Sequence, residues 1–181
     1  LIRYIDIIMK KVIWITGLSG SGKSTLGTEV VRLLRDKGDK VIYLDGDQLR
    51  EVFGVAKLSK NNYKRDARLS IAMQYSRLCY IIANQGITVV IATISMFKEI
   101  HEWNRNNLPN YFEVFLKIPI EELRRRDSKN IYSKYDSGEL RNVAGLDLKV
   151  DNPENPNLLF DFSKNYTIEE MANRLIVQIQ E

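Results

Sequence analysis

Gly17-Leu18-Ser19-Gly20-Ser21-Gly22-Lys23-Ser24-Thr25 is the stretch that decides how this chain is read. It matches Gly-x4-Gly-Lys-Ser/Thr, and its flanks carry as much information as the match. VIWIT before it, residues 12–16, is the β-branched and aromatic run of a buried strand. LGTEVVRLL after it, residues 26–34, has apolar residues at helical spacing. Glycines at 17, 20 and 22 let the backbone wrap closely around a polyphosphate with its N–H groups turned inward. A helix starting near Lys23 adds the positive end of its dipole. Lys23 is placed to reach the β- and γ-phosphates, and the Ser24 hydroxyl to hold Mg²⁺. The stretch therefore predicts a phosphate cradle for ATP with Leu18, Ser19, Ser21 and Thr25 among its contacts. An ordinary glycine-rich turn is the bland alternative.

With 181 residues, the chain is long enough for one domain with a real core. Residues 1–10 read as an N-terminal extension and 11–181 as a single domain. The apolar opening LIRYIDII is too short to span a bilayer, no small-residue cleavage site follows it, and Met9-Lys10-Lys11 reads as a natural start. No other run is long enough to cross a membrane, so a cytoplasmic protein is expected. The single cysteine, Cys79, forms no internal disulfide and suits core packing in a reducing compartment. The lone histidine, His101, excludes a multi-histidine metal site and is expected on the surface of a polar helix. The net charge of +4 is spread along the chain, apart from Arg124, Arg125 and Arg126. No recognition helix or aromatic RNA-binding motif accompanies it, so small polyanionic substrates are favoured over nucleic acid.

Strands and helices alternate, which predicts an α/β fold: five parallel strands sandwiched between helices. The strands are expected at residues 11–16, 40–44, 87–94, 111–118 and 158–162, the third being central because it is almost continuously apolar. Helices are expected at 23–37, from a cap at Ser59 to Asn84, and at 98–107 and 120–127. The capping box Thr167-Ile168-Glu169-Glu170 opens a last helix reaching Gln180. Residues 128–157 read as irregular, within a lid spanning roughly 124–157, because long loops in compact domains are usually functional.

Leu44-Asp45-Gly46-Asp47 falls at the carboxyl end of the second strand, where open α/β sheets place ligands. Asp47 is expected to orient or deprotonate an attacking hydroxyl, with Asp45 as its electrostatic partner or a water-mediated Mg²⁺ ligand. A plain polar Asp-Gly turn is the alternative. Arg50, one turn on, is placed to grip an anionic acceptor. Arg126, with Lys129, is expected to close over the nucleotide and neutralise charge on the transferring group; a solvated helix face is the other reading of the arginine cluster. Ser95 ends the third strand as a substrate contact or a simple terminus.

Taken together, GLSGSGKST, LDGD with Arg50, Ile94-Ser95, then Arg126-Asp127-x-Lys129-x-x-Tyr132, Gly145-x-Asp147 and Pro153-Glu154-Asn155-Pro156 resemble adenylylsulfate kinase. The resemblance implies a P-loop NTPase fold, ATP-Mg²⁺ as donor, the ribose 3′-hydroxyl of a nucleotide as acceptor, and a homodimer to which residues 1–8 contribute. The acceptor side departs from the family's pattern. Where the family stacks the acceptor's adenine between two phenylalanines, this chain has Leu58 and Val143. Tyr63 and Asp66 replace an arginine and an asparagine, Arg68 is kept, and Ser95-Met96-Phe97-Lys98 replaces Ser-Pro-Tyr/Phe-Arg. Donor residues kept beside altered acceptor residues imply changed specificity: adenylylsulfate, or a cytidine diphosphate derivative as in an offshoot of the family that serves surface-polysaccharide pathways. A nucleotide-binding regulator without catalysis is the alternative from another class, and the intact Lys23, Ser24, Asp45 and Asp47 weigh against it.

Overall fold

Every residue of β1 (Val12–Thr16) is buried, and its alternation splits the interior in two. Ile13 and Ile15 join one apolar cluster, Val12 and Trp14 the other. A strand buried on both faces belongs at the middle of a parallel sheet. The computed structural model, which describes residues 10–54 and 65–180, has it there: the order is β2-β3-β1-β4-β5 and every pairing is parallel. The other strands are β2 (Val41–Asp45), β3 (Thr88–Ala92), β4 (Tyr111–Lys117) and β5 (Leu158–Asp161). Val12 lies opposite Val89 on one side and Tyr111 on the other.

Helices α1 (Lys23–Asp36) and α7 (Ile168–Gln178) cover one face, burying Leu26, Val30 and Leu34 against Leu175 and Ile176. Helices α3 (Arg65–Ala83) and α4 (Lys98–Asn107) cover the other, with Ile71, Tyr75, Cys79 and Ile100 around Trp14. Burial pushes the Cys79 thiol's pKa up, as befits an inert packing residue. The capping box forms as expected: Glu170 N donates to Thr167 Oγ1 at 3.1 Å, and Thr167 N to Glu170 Oε2 at 2.8 Å.

Four expectations need correction. The third strand is not the middle one: β3 is fully buried, but β1 lies between it and β4, so a continuous apolar run marks an interior strand without saying which is central. Asp45-Gly46-Asp47 is not an open turn but the start of α2 (Gly46–Val52), with the Asp45 carboxylate as its N-cap, accepting from Asp47 N at 2.8 Å. The segment 128–157 is not wholly irregular. It contains α6 (Ile131–Asp136), whose first turn is satisfied from outside: the Asp127 carboxylate, at the end of α5 (Ile120–Arg126), accepts from Tyr132 N at 3.0 Å and Ser133 N at 2.9 Å. His101 is not on the surface. It is 3% exposed, because a carboxylate buried in the sheet, Glu113, partners it at 2.6 Å. The expected Ser59 cap lies outside the described residues, as do Leu58, Tyr63 and residues 1–9.

Leu175 is fully buried between α7 and α1, whereas Val177 on the same helix is mostly exposed. Leu175→Ala should therefore cost about 2–5 kcal/mol of unfolding free energy in urea titrations, and Val177→Ala within about 0.5 kcal/mol of nothing.

Candidate active site

The loop between β1 and α1 is closely packed at two glycines, one of its own and one from the segment that lies on it. A Cβ on Gly17 would lie 2.7 Å from the Leu116 carbonyl oxygen. A Cβ on Gly145, where φ is +84°, would lie 2.7 Å from Leu18 Cδ1, so the 128–157 segment rests directly on the loop. Tyr132 seals that contact by donating its hydroxyl to the Ser19 carbonyl at 2.9 Å. Inside the loop, Lys23 Nζ donates to Leu18 O at 2.7 Å. Its pKa is lowered to about 7, chiefly by burial and then by the neighbouring Lys129 charge, with Arg50 adding to this and Asp45 opposing it.

The carboxyl end of β2 faces this loop. Ser24 Oγ donates to Asp45 Oδ2 at 2.6 Å, and the Tyr43 hydroxyl approaches the same oxygen at 3.3 Å. Burial, and the Asp45 charge after it, push the Tyr43 pKa to about 12, so it remains a donor. Asp47, two residues on, is paired with Arg50 on its own helix and with Lys129 from the far segment. Two carboxylates, two lysines and an arginine thus meet where the strands end. The hydroxyl and carboxylate oxygens of Ser24 and Asp45 are a hard donor set of the kind Mg²⁺ takes.

Two cavities open on either side of this cluster. The first, of about 320 Å³, brings together five of the expected acceptor residues that fall among those described: Arg50, Arg68, Ile94, Ser95 and Val143. Ser95 holds a left-handed backbone (φ 29°), a strained conformation for this residue type, while its hydroxyl meets Thr93 Oγ1 at 2.9 Å. Arg68 donates to the Asn142 carbonyl at 2.6 Å, and the Asp147 carboxylate holds the amides of Asn142 and Val143 at 2.8 and 2.7 Å. Asp66 does not join this cavity; it is exposed on the first turn of α3. Tyr75 and Ile71, which the motifs did not flag, are part of the wall. Their only signal in the sequence is helical spacing from Arg68 along α3.

The second cavity, of about 400 Å³, runs from Ser21 and Gly22 to the β5–α7 connection. Arg126 lies here, its guanidinium 5.3 Å over the Phe162 ring and its Nε 2.7 Å from Glu122 Oε1. Arg124 pairs with Asp136 and Arg125 with Glu122, and of the three arginines Arg126 alone lines either of these two cavities. Phe162, Asn165 and Tyr166 also line it and carried no motif.

The family model for adenylylsulphate kinase matches residues 9–161. This chain belongs to that family. It is accordingly a phosphotransferase acting on a hydroxyl group, of a family that uses ATP. It is 38% identical over 168 residues to the cytidine diphosphoramidate kinase of Campylobacter jejuni, covering 93% of this chain and 95% of that protein. The adenylyl-sulfate kinase of Bacteroides thetaiotaomicron is 34% identical over 172 residues, covering 93% and 82%. Among solved structures, the Mycobacterium tuberculosis APS kinase in complex with AMPPNP and APS superposes with a TM-score of 0.86 at 30% identity, over 96% of this chain and 99% of that one. Among the described residues, no helix is long and apolar enough to cross a membrane.

With the Lys23 pKa lowered to about 7 from the ordinary 10.5, much of it is neutral at pH 8. A polyphosphate anion beside it favours the charged form, so binding should draw a proton from solution between these two values and none below about pH 6. Calorimetry of ATP binding at pH 8 in buffers of different ionisation enthalpy should show that uptake, and Lys23→Met should abolish it.

Proposed function

We propose that this protein transfers the γ-phosphoryl group of ATP to the ribose 3′-hydroxyl of a nucleotide, and that adenylylsulfate is the acceptor, as the family's name implies. The observation that carries this reading is the position of Asp47, paired with Arg50 beside one cavity and Lys129 beside the phosphate loop. The donor occupies the loop and the 400 Å³ cavity, with its adenine against Arg126. The acceptor occupies the 320 Å³ cavity, where Arg50, Arg68 and Ser95 meet its anionic and hydroxyl groups. Asp47 accepts the proton of the 3′-hydroxyl as its oxygen bonds to the γ-phosphorus and the bond to the departing ADP oxygen breaks. Lys23 and Lys129 neutralise the charge that spreads over the transferring oxygens. Ser24 and Asp45 would hold Mg²⁺, which when bound supplies further charge neutralisation on the phosphates. Positioning and electrostatics carry most of such a reaction. Residues 124–157 form its lid within one domain running from 11 to 181. The protein works as a homodimer in the cytoplasm.

A second reading, with cytidine diphosphoramidate as acceptor, is favoured by two observations. Val143 offers an aliphatic wall where the family's pattern has a stacking phenylalanine, and a cytidine diphosphoramidate kinase is 38% identical against 34% for an adenylyl-sulfate kinase. Loss of base stacking removes about 1–3 kcal/mol per ring, which a smaller pyrimidine packed on branched aliphatics loses less of.

ADP release measured with each acceptor in parallel decides between the two: turnover with adenylylsulfate alone supports the first reading, with the cytidine compound alone the second. In the latter case, Leu58→Phe with Val143→Phe should shift preference toward adenylylsulfate by about tenfold or more. Lys23→Ala should remove most of kcat with either acceptor, about 100-fold or more, through lost charge neutralisation; near-full activity would sink the donor-site assignment.

A further inference from the structure

Behind the acceptor cavity lies a buried polar cluster that phosphoryl transfer does not use. Its centre is Glu113, fully buried in β4. One oxygen accepts from the Tyr111 hydroxyl at 2.9 Å and faces His101 Nδ1 at 2.6 Å; the other takes Arg105 at 2.5 Å. Burial works to raise the Glu113 pKa, but the hydrogen bonds and charges of His101 and Arg105 outweigh it and hold the group below its ordinary range. With the Arg105 guanidinium and the Tyr111 hydroxyl donating to it independently of the ring, Glu113 is a carboxylate and only accepts. The other ring nitrogen, His101 Nε2, lies 3.0 Å from the main-chain carbonyl of Asp151, which also only accepts. Both nitrogens must carry hydrogen to satisfy both partners, which makes the ring an imidazolium.

Asp151 is where the 128–157 segment returns to the body. Its amide donates to Met96 O at 3.0 Å, and its carboxylate takes Lys98 N at 3.2 Å and Arg65 at 3.4 Å. That carboxylate supplies the cap that Phe97 cannot give α4. Val150, immediately before it, and Met96, its partner, are both walls of the acceptor cavity.

We propose that His101 is a positioning residue for the acceptor: as an imidazolium joining Glu113 to the Asp151 carbonyl, it fixes the wall carrying Val150 against the one carrying Met96. This rests on the 320 Å³ cavity being the acceptor site. A ring that cannot donate to both partners loses one of the two bonds, so acceptor KM rises while ATP KM does not follow. The charged and titratable groups around the ring are Glu113 and Tyr111 on β4, Lys98, Glu99 and Arg105 on α4, Asp151, and Arg65 on α3. Of these, Glu113 is held ionised, and burial first, then the Glu113 charge, keeps the Tyr111 hydroxyl protonated.

The test is KM for ATP and for whichever acceptor turns over, at pH 6.5, in wild type, His101→Gln, His101→Arg and Val143→Phe. His101→Gln should raise acceptor KM about tenfold or more, as expected for loss of a charged hydrogen bond, with ATP KM within about twofold. His101→Arg, a permanent two-donor cation, should restore part of that affinity. A rise of equal size in His101→Arg, or parallel loss of ATP affinity and melting temperature in His101→Gln, overturns the inference. If Val143→Phe shifts acceptor KM and His101→Gln does not, only this inference fails. If Val143→Phe leaves it unmoved as well, the assignment of the cavity fails with it.

Discussion

Because all five strands run parallel, each delivers its carboxyl end to the same rim of the sheet. Everything chemical in this molecule depends on that constraint. The phosphate loop follows β1, Asp45 and Asp47 follow β2, Ser95 follows β3, Arg126 comes after β4 and Phe162 after β5. No long-range search assembles these groups; a common strand direction does, once β1 is buried on both faces at the centre.

What the rim then needs is balance among charges crowded into a small space. Lys23 gives up part of its protonation because it is buried and because Lys129 and Arg50 stand nearby. Asp47 is held between Arg50 and Lys129, one from its own short helix and one from a segment more than eighty residues away. Under the proposed function, incoming phosphates relieve the positive excess at Lys23 and an incoming hydroxyl meets the carboxylate of Asp47. Such a site is arranged for anions before any arrives, which is how a fixed electrostatic environment lowers a barrier without reorganising.

Legibility in the sequence followed how local each physical demand is. The phosphate loop was plain because glycine spacing and a following lysine answer a purely local geometric need. The strands were plain because double burial leaves continuous apolar runs. Helix α2 was hidden because its cap, Asp45, doubles as a strand end and looks like a polar turn. Helix α6 was hidden because its cap comes from Asp127, in the preceding helix, while Asn130 at its start is left-handed and offers no side-chain cap. His101 was misplaced because its burial depends on Glu113, a partner in another element. Phe162 and Tyr75 line cavities only after β5 and α3 have docked, and no spacing rule announces that.

The loop around Val143 has one more consequence. Asp147 holds the amides of Asn142 and Val143, and Arg68 holds the Asn142 carbonyl, so the path of the chain here is set by main-chain hydrogen bonds. None of them involves the side chain at 143, which lines the cavity wall. The residue at that position can be exchanged by a single codon change while the loop that presents it is inherited intact. If this cavity takes the acceptor, as proposed, a lineage can try new acceptors without rebuilding the machinery that handles the donor.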